Sequence, residues 1–135
     1  MSNIHSSIAP DIKPDLDNPE QISQMVQSFY DALLADALMA PLFLDVAGVD
    51  LKDHLPTISL YWQKMLLGDR RYHNNTMAKH RAVHRQSPFR DEHFTTWLRY
   101  FLQNLDNHFE GPYTDKARRI ARNVIKNMRK QLLVA

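Results

Sequence analysis

Apolar residues recur at helical spacing along most of the chain. Five of them, between residues 22 and 33, repeat at i, i+3, i+4, i+7 and i+11, which places them on one face of a helix. Three later stretches keep a similar register. The four apolar stripes are Ile22, Met25, Val26, Phe29 and Leu33; Leu51, Leu55, Ile58, Trp62, Met65 and Leu66; Phe94, Trp97, Leu98, Phe101, Leu102, Leu105 and Phe109; and Ala117, Ile120, Ala121, Val124, Ile125, Met128 and Leu132. No segment alternates with period two, so the pattern predicts an all-α fold with four long amphipathic helices.

Capping signals predict where the first helix begins. Asn18 is a suitable N-cap, Pro19 suits the first helical position, and Gln21 stands where a capping box needs Glu or Gln. Residues 1–17 contain Pro10 and Pro14 and little apolar material. They predict a mobile lead-in to a single domain of residues 18–135.

The later helix boundaries depend on proline, glycine and threonine. Pro56 would remove an interior hydrogen bond if the second helix began well before it, so we expect a later start, capped by Asp53. We expect Gly68 to end this helix and Thr114 to cap the last one. Between them, residues 76–84 have room for one short helix.

The composition excludes several classes of protein. The 135 residues fit one domain, and the absence of cysteine excludes disulfides, thiolate metal sites and cysteine nucleophiles. The three glycines, at positions 48, 68 and 111, are too far apart to form a phosphate-binding loop. No apolar run approaches the roughly 18 residues of a membrane span, and no secretory signal is visible, which makes a cytoplasmic location the expectation.

The formal net charge of +2 is unevenly distributed. Residues 1–50 hold eight acidic residues and one basic residue, whereas residues 114–135 hold seven basic residues and one acidic residue. A solvated helix face is the simplest interpretation of the basic stretch, because charge asymmetry affects solubility and association more than fold. Nucleic-acid binding is the weaker interpretation.

Seven histidines are many for a chain of this length. The simplest account of His73, His93 and His108 is a solvated imidazole. His80 and His84 are spaced i, i+4 and would share one helix face, but no Glu follows the first His, so the zinc-binding HExxH pattern is missing. A haem needs only one strong axial ligand, an apolar slot and polar groups at the opposite axial site, all of which this chain could supply.

The middle and C-terminal parts of the chain resemble the group III truncated haemoglobins. The similar residues follow the order and spacing of that family, and the resemblance covers residues 19–132. They are Phe29 and Tyr30; Pro41, Leu42 and Phe43; HLP at 54–56; YWQKMLLG at 61–68; RYH at 71–73; MAKH at 77–80; EHFTTWL at 92–98; and Phe101. Together these motifs are specific, whereas each of them alone is weak.

The resemblance implies a truncated globin fold, a two-over-two sandwich of helices around haem b. His80 would be the proximal iron ligand, with its other ring N–H bonded to an oxygen acceptor. His84 is the alternative on the same helix face, and only the match at 77–80 selects His80. The implied pocket is lined by Phe29, Phe43, Ile58, Trp62, Leu98 and Phe101. The candidate partners of the haem propionates are Arg70, Arg71, Tyr72 and Lys79, for which the alternative is a solvated surface charge next to a loop.

On the distal side the resemblance points to Tyr30, His54 and Trp97. Dioxygen gains negative charge on its outer oxygen when it binds ferrous iron, and phenol, imidazole or indole hydrogen-bond donors stabilise that charge. Each such hydrogen bond contributes roughly 1–3 kcal/mol in a dry pocket. For His54 three roles are open: donor to the ligand, outward-swinging gate, or sixth iron ligand.

Two functions follow as hypotheses. The first is a haem protein that binds dioxygen and other small diatomic ligands, with redox turnover of nitric oxide or peroxide supported by an external electron donor. Whether such turnover makes the protein an enzyme is left open, because a shared fold does not determine function. The alternative is a cofactor-free helical interaction module that uses its basic C-terminal helix. For the first hypothesis neither nucleic acid nor a membrane is an expected partner.

Overall fold

The structure is a computed structural model that describes residues 12–42, 51–69 and 89–132. These ranges contain the helices α1 (Pro19–Leu34), α2 (Leu51–Leu67), α3 (Asp91–His108) and α4 (Pro112–Leu132). No strand occurs within them. None of the helices in these ranges is long and apolar enough to span a membrane. The predicted short helix at 76–84 lies outside the described residues.

The four helices pack as two pairs. Helix α1 lies against α2, α3 lies against α4, and the pairs meet where α1 contacts α3 and α2 contacts α4. The core is formed largely by residues of the predicted apolar stripes whose side chains the structure describes, because each helix turns most of these residues inward. Its largest fully buried side chains include Ile22, Met25, Leu33, Phe101 and Leu105.

The capping prediction for α1 is confirmed. Asn18 is the N-cap, and its side chain accepts a hydrogen bond from the Gln21 backbone N–H at 2.9 Å, with Pro19 in the first turn. The reciprocal half of the capping box does not form, because the buried Gln21 Oε1 has no hydrogen-bond partner in the described part of the chain. The predicted end of α2 is also confirmed: Gly68 adopts a φ of +78°, and its N–H bonds to the Lys64 carbonyl at 3.1 Å.

The predicted start of α2 is wrong. The helix begins at Leu51 and contains Pro56, instead of starting after a cap at Asp53. Pro56 is exposed, whereas Trp62 and Leu66 of the same helix are buried in the core. Packing of the apolar face therefore outweighs the one hydrogen bond that the proline removes.

The start of α4 also differs from the prediction. Thr114 is not the cap, because the helix begins two residues earlier, at Pro112. Asp15 supplies the cap from a distant part of the chain: its carboxylate accepts the backbone N–H groups of Tyr113 at 3.0 Å and Thr114 at 2.7 Å. The Thr114 hydroxyl donates to the same carboxylate at 2.8 Å. We call Asp15, Gly111, Tyr113 and Thr114 the Asp15 junction.

The Asp15 junction attaches residues 12–17 to the domain. Leu16 is fully buried, and the Pro14 carbonyl accepts the Glu110 N–H at 3.0 Å. Gly111, with a φ of +135°, leaves room for the Asp15 carboxyl group, which a Cβ at this position would overlap. This part of the expected lead-in is therefore packed against α4, whereas residues 1–11 lie outside the described residues.

Candidate functional site

Phe29 of α1 lies at the centre of an aromatic cluster. Its ring makes edge-to-face contacts with Tyr30, Trp97 and Phe101, at centroid distances of 5.5, 5.1 and 5.1 Å. Phe101 in turn stacks on Trp97 of the same helix at 5.3 Å and on Trp62 of α2 at 4.9 Å. The cluster therefore joins α1, α2 and α3 through rigid rings. Contacts between such rings stabilise the fold by more than their buried area alone would give.

Ile58 and Leu98 complete this apolar surface. Both are partly buried and pack against the core cluster, as does Trp97. Five of the predicted pocket-lining residues, together with the predicted distal Trp97, thus lie in one connected region of the described structure: Phe29, Ile58, Trp62, Leu98 and Phe101. An apolar aromatic surface of this kind suits a flat, largely apolar ligand.

Tyr30 and His54 form a polar pair beside the aromatic cluster. The Tyr30 hydroxyl lies 3.1 Å from His54 Nε2, and the two ring centroids are 5.3 Å apart. The tautomer of His54 decides which of the two groups donates. Helix α1 carries Tyr30 directly after Phe29, and α2 carries His54 one turn before Ile58, so helix packing brings this predicted pair together.

Burial makes the Tyr30 hydroxyl harder to ionise. The residue is only 5% exposed, and burial raises the pKa of its hydroxyl well above the ordinary value. Tyrosine hydroxyls are ordinarily neutral at pH 7, and burial reinforces this, so the group is a phenol that can donate a hydrogen bond. Tyr30 thus presents a donor, not an anion, on the inner side of α1.

An aspartate after α1 holds the adjoining turn against α3. Asp36 Oδ1 accepts the backbone N–H groups of Leu38 and Met39, and Oδ2 accepts the Tyr100 hydroxyl at 2.6 Å. The hydrogen bond from Tyr100 lowers the pKa of Asp36 despite the opposing effect of desolvation. Sequence reasoning missed this contact, which fixes the turn relative to the helix that carries Trp97.

The prediction of a solvated His93 is wrong. His93 is only 6% exposed, and its Nδ1 accepts the Arg90 backbone N–H at 2.8 Å. Burial and the charge of the neighbouring Arg90 lower the pKa of His93. The charge of Glu92 raises it, but by less. The sequence gives no clear signal for this contact, because Arg90 and His93 take the N-cap and N3 positions of a capping box without being the Ser or Thr and the Glu or Gln that are typical there.

The remaining predicted site residues lie outside the described residues. They are the predicted iron ligand His80, its alternative His84, the pocket residue Phe43, and the candidate propionate partners Arg70, Arg71, Tyr72 and Lys79. Within the described ranges no three His, Asp or Glu side chains are grouped so as to hold a metal ion. The residues that are described form the distal part of the predicted site.

The described side chains fit a haem on chemical grounds. The porphyrin requires apolar contacts over most of its surface and polar donors only near the iron. The cluster around Phe29 supplies apolar rings, and the adjacent Tyr30–His54 pair supplies polar tips in a largely water-free setting. This combination suits a small ligand that acquires negative charge.

Comparisons with known proteins agree with this chemistry. A model of the family "bacterial-like globin" matches residues 16–133. The chain is similar to the group 3 truncated hemoglobin ctb of Campylobacter jejuni, with 30% identity over 92 residues that cover 66% of this chain and 70% of the relative. It is also similar to the crystal structure of group III truncated hemoglobin from Campylobacter jejuni, with a TM-score of 0.79, 25% identity, and coverage of 90% of this chain and 95% of that one.

Proposed function

This chain belongs to the group III truncated haemoglobins, within the bacterial-like globins, and we propose that it uses haem b to bind dioxygen and other small diatomic ligands. Haem binding and oxygen binding are properties of the globin family. The proposal adds the type of haem, the residues that contact the ligand and the fate of that ligand.

The observation that carries the proposal is the Tyr30–His54 pair. Two polar side chains from different helices meet at 3.1 Å beside a cluster of apolar rings, in a region where Tyr30 is almost fully buried. Buried polar side chains normally have a hydrogen-bond partner. Tyr30 and His54 are partners of each other here, and both side chains can rotate. Such a pair can donate to a small ligand without movement of the backbone.

We assign three residues to the ligand. The Tyr30 hydroxyl is neutral at pH 7, as tyrosine hydroxyls ordinarily are, and can donate; burial disfavours its anion further. His54 Nε2 lies within hydrogen-bond distance of that hydroxyl, so the two groups would share one ligand or bond to each other in its absence. Trp97 contacts the same Phe29 ring that Tyr30 contacts, and its indole N–H is the third donor.

We assign the haem to the adjacent residues. Bound haem would supply the iron at which dioxygen binds. His80 would be the proximal ligand, and Arg71 and Tyr72 would interact with the propionates. The apolar contacts would come from Phe29, Phe43, Ile58, Trp62, Leu98 and Phe101.

Strong donors favour retention and chemical use of the ligand over rapid release. We therefore include in the proposal redox turnover of nitric oxide or peroxide in the cytoplasm, although no residue is assigned a catalytic role. Such a cycle consumes electrons, and the chain carries no glycine-rich dinucleotide motif that would bind its own nicotinamide or flavin. An external electron donor is therefore part of the proposed function.

An absorption spectrum of the purified full chain tests this proposal. We expect an intense Soret band in the wild type and in His84→Ala, and loss or strong alteration of that band in His80→Ala. His84 is the matched control, because it lies one helical turn from His80 in the predicted helix. A colourless wild type that does not take up added haemin would overturn the proposal, and a band that depends on His84 alone would overturn the ligand assignment.

A further inference from the structure

The outer face of α4 carries a continuous row of positive charge. Arg119, Arg122, Lys126 and Lys130 follow one another at i, i+3, i+7 and i+11, and all four are exposed. We call these four residues the basic stripe. At 1.5 Å per residue they extend over about 16 Å along the helix. No carboxylate in the described part of the chain forms an ion pair with any of them.

The two other arginines of α4 behave differently. Arg118 pairs with Asp106 at 2.8 Å and with Asp115 at 2.5 Å, and Arg129 pairs with Asp91 at 2.8 Å. These arginines lie on the flank of α4 that faces α3 and are used within the fold. The basic stripe and the exposed Lys116 are therefore the positive charges of α4 for which the described part of the chain shows no ion pair, and carboxylates border the stripe on one side.

The inner face of the same helix lies next to the proposed haem pocket. Ile125 and Met128 are buried against Phe94, and this small cluster is extended by Trp97 and Leu98. Ile125 and Met128 lie on either side of Lys126 in sequence. The basic stripe is therefore separated from the pocket residues Trp97 and Leu98 by about the thickness of one helix, 10–12 Å.

We propose that the basic stripe docks a soluble one-electron carrier protein whose surface is acidic around its redox centre. This inference rests on the proposed haem function, which requires an external electron donor. Four aligned cations would attract such a surface from a distance and orient it. The docked carrier would face the pocket across a single helix, which keeps the electron path short.

The redox step balances without any atom transfer. One electron leaves the reduced carrier, which is thereby oxidised, and that electron reduces ferric haem to the ferrous state that binds dioxygen. No proton, oxygen atom or leaving group moves between the two proteins. The stripe contributes only association and orientation.

A protein partner fits this surface better than a nucleic acid does. The arginines beside the carboxylates of Asp91, Asp106 and Asp115 are already paired with them, so the positive charge open to a partner is confined to a stripe of about 16 Å, which is short for contacts with the phosphates of an extended polyanion. Tyr113, at the start of α4, is the exposed aromatic residue of the described chain, and it precedes the stripe instead of alternating with it. Within the described chain, no exposed aromatic ring therefore lies along the basic stripe on which a nucleic-acid base could stack.

Reduction of the full-length ferric protein by a plant-type [2Fe–2S] ferredoxin tests the proposal. The reduced ferredoxin is the acidic probe, and stopped-flow absorbance of the Soret band measures the rate at low and high salt. The test variant is Arg122→Glu/Lys126→Glu. The control is Lys64→Glu/Arg99→Glu, at exposed positions on α2 and α3, and both double variants change the formal net charge from +2 to −2.

We expect the test variant to be reduced about tenfold or more slowly than wild type at low salt, and the control within about twofold of wild type. Titration calorimetry with oxidised ferredoxin should show the same order of affinities, and reduction by dithionite should not distinguish the two double variants. Equal rates for the test variant and wild type, or equal slowing of both double variants, would overturn the proposal. Tighter stripe-dependent binding to duplex DNA than to ferredoxin at the same salt concentration would also overturn it. A wild type without a Soret band would instead show that the haem function itself is wrong.

Discussion

The Asp15 junction and the Tyr30–His54 pair both contain polar side chains in partly or fully buried settings, but they use them differently. At the junction, one carboxylate accepts two backbone N–H groups and a hydroxyl, so its bonds hold the start of α4 in place. In the pair, two side-chain tips meet at 3.1 Å beside apolar rings. The junction joins a side chain to the backbone of a distant segment, whereas the pair joins two side-chain tips, both of which can rotate.

This difference suggests how to distinguish polar groups that stabilise a fold from polar groups that bind a ligand. Partial burial alone would raise the pKa of Asp15, yet the hydrogen bonds from Thr114, Tyr113 and Leu16 lower it overall. Burial raises the pKa of Tyr30, with no comparable stabilisation of an anion. The charged form of Asp15 is thus stabilised by bonds within the fold, whereas Tyr30 is a neutral hydroxyl next to His54 that can also donate to a ligand that acquires charge.

The largest expected effect on stability comes from breaking the junction. Asp15→Ala removes the cap of α4 and leaves the N–H groups of Tyr113 and Thr114 without their acceptor, so we expect a loss of about 2 kcal/mol in the free energy of unfolding. Denaturant unfolding measures this loss. Asp17→Ala, at an exposed site two residues away, is the control, and equal stability of the two variants would contradict the assigned role of Asp15.

Breaking the pair should change ligand kinetics instead of stability. We expect Tyr30→Phe to speed dioxygen dissociation from the ferrous protein roughly tenfold, because one donor worth about 1.4 kcal/mol is lost. Flash photolysis or stopped-flow measurement gives the rate. Asp15→Ala should leave that rate near the wild-type value, and an unchanged rate in Tyr30→Phe would remove Tyr30 from the ligand site.

Trp97→Phe should have a smaller effect of the same kind. The substitution removes the indole N–H but keeps an aromatic ring against Phe29 and Phe101, so the cluster is preserved. We expect dioxygen dissociation to become a few times faster, consistent with one weaker hydrogen bond. A slower dissociation would show that Trp97 acts through packing and not as a donor.

The smallest expected effect is a pH dependence at the start of α3. Because burial and Arg90 lower the pKa of His93 in the folded state, the unfolded chain binds a proton below about pH 6.5 that the folded chain rejects. The stability contributed by neutral His93 is therefore complete above that pH and is lost as the pH falls. His93→Gln should make the free energy of unfolding less sensitive to pH between 7.5 and 5.5, and His108→Gln controls for the loss of one histidine. An unchanged slope in His93→Gln would contradict this assignment.

The sequence was sufficient to predict the all-α truncated globin fold and most of the helix faces. The comparisons confirm that fold and the family, and the structure confirms the cap at Asn18 and the stop at Gly68. The helix faces, the cap and the stop depend on residues close together in sequence, where spacing and capping chemistry determine the outcome, whereas the truncated globin fold was implied by the family resemblance. The meeting of Tyr30 with His54 was implied only by the family resemblance, because periodicity does not indicate which helices are neighbours.

The errors share one physical cause. Asp15 caps a helix 99 positions away, Pro56 is retained inside α2 because the rest of that helix packs on the core, and His93 is buried by its surroundings. In each case a tertiary contact outweighs a local preference. The predicted roles of His80, Phe43, Arg71 and Tyr72 stay predictions, because these residues lie outside the described ranges.

A double-mutant cycle on Tyr30 and His54 tests the central claim most directly. Dioxygen dissociation would be measured in the wild type, Tyr30→Phe, His54→Leu and the double variant. If the two groups act on one ligand as a pair, the free-energy effects of the single changes will not add, and the coupling will be about 0.5 kcal/mol or more. Additive effects, or rates that none of the substitutions changes, would contradict the account of a shared distal donor pair.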